Sequence, residues 1–135
     1  MIGIDLVYIP RFTRWLSYSD NQLLTIFSCR ELEECRRRTP KEAEFLASRF
    51  AVKEAFYKAL STTCATITHI QPFGLRTIAR FVEITPDARW GCPLLLFSAQ
   101  EFYTATGIRL PTLTAQISLS HDHDYAIAQV VITLV

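Results

Sequence analysis

The chain has 135 residues, 50% of them hydrophobic and 20% charged, with a formal net charge of +1. That length supports one core and so one domain, residues 1–135, and the near-neutral balance leaves no basic footprint for nucleic acid. No apolar run approaches the roughly 18 residues of a membrane span. The opening MIGIDLVYIP has neither the basic leader nor the small-residue cleavage site of a secretory signal, so a cytoplasmic protein is expected.

Taken in chain order, Ile2 to Val7 reads as a strand with Ile2, Ile4 and Leu6 on one face and Gly3, Asp5 and Val7 on the other. Pro10 suits the first turn of a short helix carrying Arg11, Phe12, Arg14, Trp15 and Leu16. Ser19 or Asp20 would cap a helix over 21–27. Ser28 would cap another over 30–38, with Glu31 completing a capping box. Thr39-Pro40 is expected to open a long helix reaching Leu60, with Glu42 and Glu44 near its positive end. Thr66 to Ile70 and Thr77 to Thr85 are rich in β-branched residues and read as strands. Turn residues fill 86–93, and Leu94 to Phe97 is a short strand. Ser98 to Thr106 reads as a helix stopped by Gly107. Thr112 to Ser120 and Tyr125 to Val135 are two strands joined by the polar turn HDHD. Helices first and an antiparallel sheet afterwards give an α+β class, with one long helix on a small antiparallel sheet. The four cysteines, Cys29, Cys35, Cys64 and Cys92, form no CxxC pair and have no histidine at zinc-site spacing. They are expected to be thiols, mostly buried.

The most informative stretch is RFAVKEAFYKAL, Arg49 to Leu60. Two of the chain's three lysines, Lys53 and Lys58, lie in it, with Arg49 and Glu54, in a helix that is otherwise almost wholly apolar. At about 100° per residue, Ala43, Ala47, Ala51, Ala55 and Ala59 form a ridge that lets another backbone or a ligand come close. A helix apolar nearly all round is buried or covered by another subunit. Charges within it are costly unless paired, metal-bound or met by a ligand, so a functional site and a structural ion-pair network are both open. Two other places carry polarity that the pattern does not require. Asp5 interrupts an apolar strand, where it either caps a backbone group or serves a site. Ser120, His121, Asp122, His123 and Asp124 form either a solvated hairpin turn or, at a spacing matching no specific site, a metal site. Asp5 with Glu54 is a pair of hard oxygen ligands suited to Mg²⁺ held with waters and a substrate phosphate. Arg49, Lys58 and His121 could neutralise phosphate oxygens. This is equipment for phosphoryl-type chemistry. Neither GxxxxGK[ST] nor GxGxxG is present, which removes P-loop and Rossmann nucleotide sites.

Three segments, GIDLVYIPRF at 3–12, FLASRFAVKEAFYKAL at 45–60 and SLSHDHDYAIAQVVI at 118–132, together resemble the holo-[acyl-carrier-protein] synthase family, the small trimeric type of 4′-phosphopantetheinyl transferase. FVEITPDARWGCPLLL at 81–96 gives weaker support through its Gly-x-Pro. The resemblance implies transfer of the phosphopantetheine arm of coenzyme A to a serine of an apo carrier protein, in fatty acid biosynthesis. It implies Asp5 and Glu54 as Mg²⁺ ligands, Lys58 facing the coenzyme A phosphates and helping to stabilise the leaving group, and Glu54 as the base for the carrier serine through a metal-bound water. Arg49 and His121 would contact coenzyme A phosphates, and Pro93 would lie in the segment lining the adenine pocket. Arg11, Arg14 and Trp15 would form the docking face for an acidic carrier helix, against a plain surface helix as the alternative. Sites would lie between subunits of a homotrimer, with no nucleic-acid or membrane partner. The chain departs from the family at Ser61-Thr62-Thr63-Cys64, where members usually carry Gly-Thr-Gly. Two other functions stay in view: a non-catalytic carrier-binding module that has lost coenzyme A binding at that loop, and a phosphohydrolase using the same carboxylates.

Overall fold

A computed structural model of the chain describes residues 1–68 and 73–135. Strand β1, Ile2–Tyr8, leads into two short 3₁₀ turns, Ile9–Phe12 and Arg14–Ser17, the first with Pro10 in its opening turn. Helix α1, Asp20–Leu23, and helix α2, Cys29–Arg36, follow, and both open on capping boxes, Ser19 with Gln22 and Ser28 with Glu31. The long helix α3 spans Glu42–Thr63. Beyond it come helix α4 (Leu75–Ala79), the hairpin of β2 (Val82–Pro86) and β3 (Pro93–Phe97), helix α5 (Ala99–Thr106), and strands β4 (Leu113–Asp122) and β5 (Tyr125–Leu134). Gly107 closes α5 in the left-handed region at φ 73°, its N–H donating to Tyr103 O at 2.8 Å.

The expected α+β arrangement is present, with two sheets rather than one. β1, β5 and β4 form an antiparallel sheet in the order β1-β5-β4, and β2 and β3 form a separate two-stranded sheet. α3 lies along the larger sheet on β1 and β5. The contact follows the alanine ridge, since Ala47, Ala51, Ala55 and Ala59 are fully buried and face the small residues Ala126, Ala128 and Gly3. Small side chains on both layers let the backbones meet. A Cβ built on Gly3 would stand 1.9 Å from Ala55 O and 2.8 Å from Ala59 N, so only glycine fits there. This close approach brings the next inward residue of β1, Asp5, against the helix.

Several element boundaries differ from the sequence reading. Thr39 and Pro40, joined by a cis peptide bond, form a turn, and α3 starts at Glu42, so Pro40 is not in its first turn. At the other end α3 runs to Thr63, past the expected stop at Leu60. Without glycine at 61–63 nothing breaks the helix there. The hydroxyls of Thr62 and Thr63 donate back to the carbonyls of Lys58 and Ala59. The strand expected over Thr66 to Ile70 is replaced through Thr68 by a π-helical turn, Cys64–Thr68, and its last residues lie outside the described ones. Thr77 to Ala79, expected in a strand, belong to α4, and the strand begins at Val82. In both segments the tertiary packing of α3 and its extension overrides β propensity. The cysteines split evenly: Cys35 and Cys64 are buried, and Cys29 and Cys92 are exposed.

Lys53 resolves half of the puzzle of the charged helix. Its side chain is fully buried, and its ammonium donates to the carbonyls of Ile26, Ala79 and Val82 and lies 2.8 Å from Glu31 Oε2. Glu31 in turn accepts from Ser28 N and, through its other oxygen, from Ile84 N at 2.9 Å. Burial pulls the Lys53 ammonium below the usual lysine range, and the Glu31 carboxylate opposes that pull. The pair therefore clips α2, α4 and β2 onto α3, and it is a structural ion pair in which both carboxylate oxygens and the ammonium have partners.

Candidate active site

The other half of the puzzle points the opposite way. β1 places Asp5 inward beside α3, where Glu54 and Lys58 stand one turn apart. Lys58 Nζ lies 2.8 Å from Asp5 Oδ1 and 3.3 Å from the carbonyl of Ile4. Asp5's side chain is 11% exposed and Lys58's 46%, so the ion pair spans the boundary between core and solvent. Asp5 Oδ2 is buried with no hydrogen-bond partner. An anionic oxygen left so is costly, and a cation is the group that would satisfy it. Glu54 is half-buried. Desolvation pushes its carboxyl above the usual range, the nearby Asp5 charge pushes it further, and Lys58 and Arg11 pull it down. Two carboxylates that repel one another, one of them with an unpartnered oxygen, are a donor pair that could hold a divalent cation. Among the described residues no group of three or more His, Cys, Asp or Glu side chains could hold a metal. The remaining ligands would come from water and phosphate, the donor set that suits Mg²⁺.

Arg49 and His121 stand together in a different place. They line a cleft of about 240 Å³ between α3 and the end of β4, together with Arg38, Lys41, Ser48 and Glu44. The Arg49 guanidinium sits 4.3 Å above the Phe45 ring, and its Nε is buried without a partner. Burial lowers its pKa, while the Glu31 and Glu34 carboxylates hold it up. His121 Nε2 lies 3.6 Å from Glu44 Oε1. The sequence reading missed Arg38 and Lys41 in this cationic cleft. Lys41 and Arg49 are eight residues apart, two turns along one face, and that spacing was the available signal. Lys58 follows Arg49 by nine residues, about 180° around the helix axis. The Asp5–Glu54–Lys58 cluster and the Arg49–His121 cleft therefore occupy opposite flanks of α3.

Pro93 opens β3 in the smaller sheet, apart from the sheet that carries Asp5 and His121. Arg11 and Arg14 are exposed on the 3₁₀ turns, and the Arg11 guanidinium lies 5.1 Å over the Phe12 ring. Trp15 is half-buried in an aromatic cluster with Phe12, Phe27 and Phe50. It supports the turn that presents the two arginines. In the HDHD turn, His123 Nδ1 and Asp122 Oδ1 are 2.7 Å apart with both side chains 90% exposed, and His123 takes φ 50°. These two form the solvated hairpin turn. The carbonyl of Asp124 accepts from Ile9 N at 2.7 Å and ties that turn to the start of the arginine-bearing segment.

The model of the 4′-phosphopantetheinyl transferase superfamily matches residues 1–130. The chain belongs to that superfamily. Among its relatives, the holo-[acyl-carrier-protein] synthase of Trichlorobacter lovleyi is 39% identical over 97% of this chain and 94% of its own. That of Corynebacterium glutamicum is 33% identical over 98% and 97%. The fold superposes on a Chronobacterium ammoniagenes ACPS–CoA complex with a TM-score of 0.74 and 32% identity, covering 98% of this chain and 96% of that one. It also superposes on Helicobacter pylori holo-[acyl-carrier-protein] synthase in complex with coenzyme A, with a TM-score of 0.69, 27% identity and coverage of 98% and 100%. The expected resemblance is thus met over residues 1–130, a span that includes the segment at 61–64 lacking the glycines.

Proposed function

We propose that the chain moves the 4′-phosphopantetheine group of coenzyme A to a serine of apo acyl carrier protein, giving holo carrier protein and adenosine 3′,5′-bisphosphate, in fatty acid biosynthesis. The observation that carries the reading is the buried, partnerless Oδ2 of Asp5 beside a carboxyl with a raised pKa and a lysine that reaches the solvent. Asp5 and Glu54 would hold Mg²⁺, and a metal there supplies charge to offset the pyrophosphate of coenzyme A. Glu54, poised above the ordinary carboxylate range, is the base that takes the serine proton as the hydroxyl attacks the pantetheine-bearing phosphorus. Lys58 faces the departing phosphate and offsets the charge that develops as the phosphorus–oxygen bond to adenosine bisphosphate breaks. Arg49 and His121, with Pro93, bind coenzyme A. Arg11 and Arg14, propped by Trp15, receive the acidic carrier.

The position of these groups supports a site shared between copies of the chain. Arg49 and Lys58 point about 180° apart on one helix and cannot grip one pyrophosphate within a subunit. The outer face of the larger sheet is also apolar, with Ile2 64%, Ile4 56% and Leu6 61% exposed. Such a patch marks an interaction surface, and a homotrimer that buries it would bring the two half-sites together. Among the described residues no helix is long and apolar enough to cross a membrane. A cytoplasmic setting is part of the same reading and agrees with the exposed thiols of Cys29 and Cys92.

The test follows the intact mass of apo acyl carrier protein mixed with the protein, coenzyme A and Mg²⁺. A gain of one phosphopantetheine arm, lost with Glu54→Ala or without metal, is the expected result. A carrier that binds unchanged would move the reading to a non-catalytic binding module. Phosphate release without any acceptor would move it to a phosphohydrolase.

A further inference from the structure

Four of the eleven arginines are paired with carboxylates, and among the described residues six exposed ones, Arg11, Arg14, Arg76, Arg80, Arg89 and Arg109, are not. Arg30, Arg36, Arg37 and Arg38 each lie within 3.6 Å of a carboxylate, Glu83, Asp20 or Glu34. Arg14, Arg76 and Arg80 are exposed and have no carboxylate partner among the described residues. Arg76 and Arg80 sit one turn apart at α4, far in sequence from the 3₁₀ turns, and the fold brings the two segments together. A recess of about 360 Å³ joins them, with Trp15, Tyr18, Leu23 and Ile26 on its floor and walls and Arg76 at its rim. It continues through Thr25 and Arg76 into a second hollow edged by Arg80. The surface therefore starts at Trp15, next in sequence to the exposed Arg14, and runs across a largely apolar depression to Arg76 and Arg80.

We infer that Arg76 and Arg80 form a second anchor of the carrier-docking surface, so that an acidic amphipathic helix of the carrier protein lies across the recess. One apolar side chain enters between Trp15, Tyr18 and Ile26, and acidic residues reach Arg14 at one side and Arg76 and Arg80 at the other. The occupant follows from charge and shape. Unneutralised guanidinium groups at Arg76 and Arg80, with exposed Arg14 adjoining Trp15 in sequence, select carboxylates, and a largely apolar depression selects the apolar face of a helix. This inference rests on the transferase reading for the identity of the carrier. It adds a contact that neither the first helical turns nor the long helix supplies. Arg76 and Arg80 act only on binding, since neither belongs to the Asp5–Glu54–Lys58 cluster or the Arg49 cleft.

The test is binding of labelled apo acyl carrier protein by fluorescence anisotropy at two salt concentrations, with the mass assay run in parallel. Arg76→Glu/Arg80→Glu is expected to weaken binding about ten-fold or more at low salt and to flatten its salt dependence, with the KM for coenzyme A unchanged. Arg76→Gln/Arg80→Gln serves instead if circular dichroism shows that the charge reversal disturbs the fold, with a smaller loss of the same kind. Affinity within two-fold of wild type, while Arg14→Glu weakens it, would overturn the second anchor. Absence of carrier binding by the wild type at low salt would overturn the chosen occupant. A carrier that binds through these arginines and gains no mass would leave the anchor standing and remove the transferase reading.

Discussion

Glu54 is held in a state that opposes folding when ionised, because desolvation and Asp5 raise its pKa. A carboxyl raised in the folded protein loses stability as pH climbs from its unfolded value through its folded one, so at neutral pH the charge is a net cost. Glu54→Gln is therefore expected to lower kcat by at least about 100-fold, yet leave Tm in the absence of metal unchanged or up to about 2 °C higher. Mass assay and calorimetry check the two halves, and a clear fall in Tm would contradict the desolvated-carboxylate account. The same shift sets a pH dependence. In the metal-free protein the Glu54 carboxyl should titrate above its ordinary value, as followed by NMR of the labelled side chain. Arg11 pulls this group down, so Arg11→Gln should move that titration to still higher pH. At this scale much was legible in the sequence. Asp5, Glu54 and Lys58 stood out because charges in apolar periodic segments need a reason, and the structure joins Asp5 to Lys58 at 2.8 Å. Lys53 stood out equally and does other work. Its distinction from Lys58 comes from Glu31, a partner 22 residues away that no local spacing reveals.

The elements depend on two close fits around α3. Gly3 sits where any side chain would press into the helix backbone, so Gly3→Ala should cost about 2–3 kcal/mol. The loss should appear as a lowered denaturant midpoint. Activity per folded molecule should fall as well, because Asp5 is two residues along the same strand. The Lys53–Glu31 pair is the second fit. Lys53→Met leaves the Glu31 carboxylate and three carbonyls facing one another in the core, at an expected cost of about 3–5 kcal/mol. Denaturant unfolding measures it directly, and a loss under 1 kcal/mol would show that water reaches the site. The capping boxes at Ser19 and Ser28 and the left-handed stop at Gly107 were readable because caps are local chemistry. The strand expected over Thr66 to Ile70 was not, as far as Thr68, nor was the first part of that expected over Thr77 to Thr85, since β-branched residues tolerate a helical turn once neighbouring elements supply the packing.

For the whole molecule, the shared-site proposal makes a sharp prediction. Glu54→Gln and Arg49→Ala subunits, each inactive alone, should regain activity when mixed and allowed to exchange, because some sites then receive an intact half from each. No recovery, with exchange shown by native mass spectrometry, would confine the site to one chain. Leu6→Glu places a charge in the apolar outer face of the sheet. It should shift the protein toward monomer by sedimentation and lower activity, with its circular dichroism retained.

The sequence by itself determined the class, the long helix, the hairpin and the chemical character of the site, because periodicity, caps and the types of charged residue are properties of neighbouring positions. Tertiary structure decided which charge on α3 is a structural clip and which stands in the candidate site, since that depends on what burial brings against each one. It also decided that the Arg49–His121 cleft and the Asp5–Glu54–Lys58 cluster stand on opposite flanks of the helix. The rotation between residues 49 and 58 was calculable from sequence, but its meaning depended on the layer that α3 packs against. The sheet occupies one side of α3 and leaves two separate flanks for ligands, which the order of residues alone does not specify.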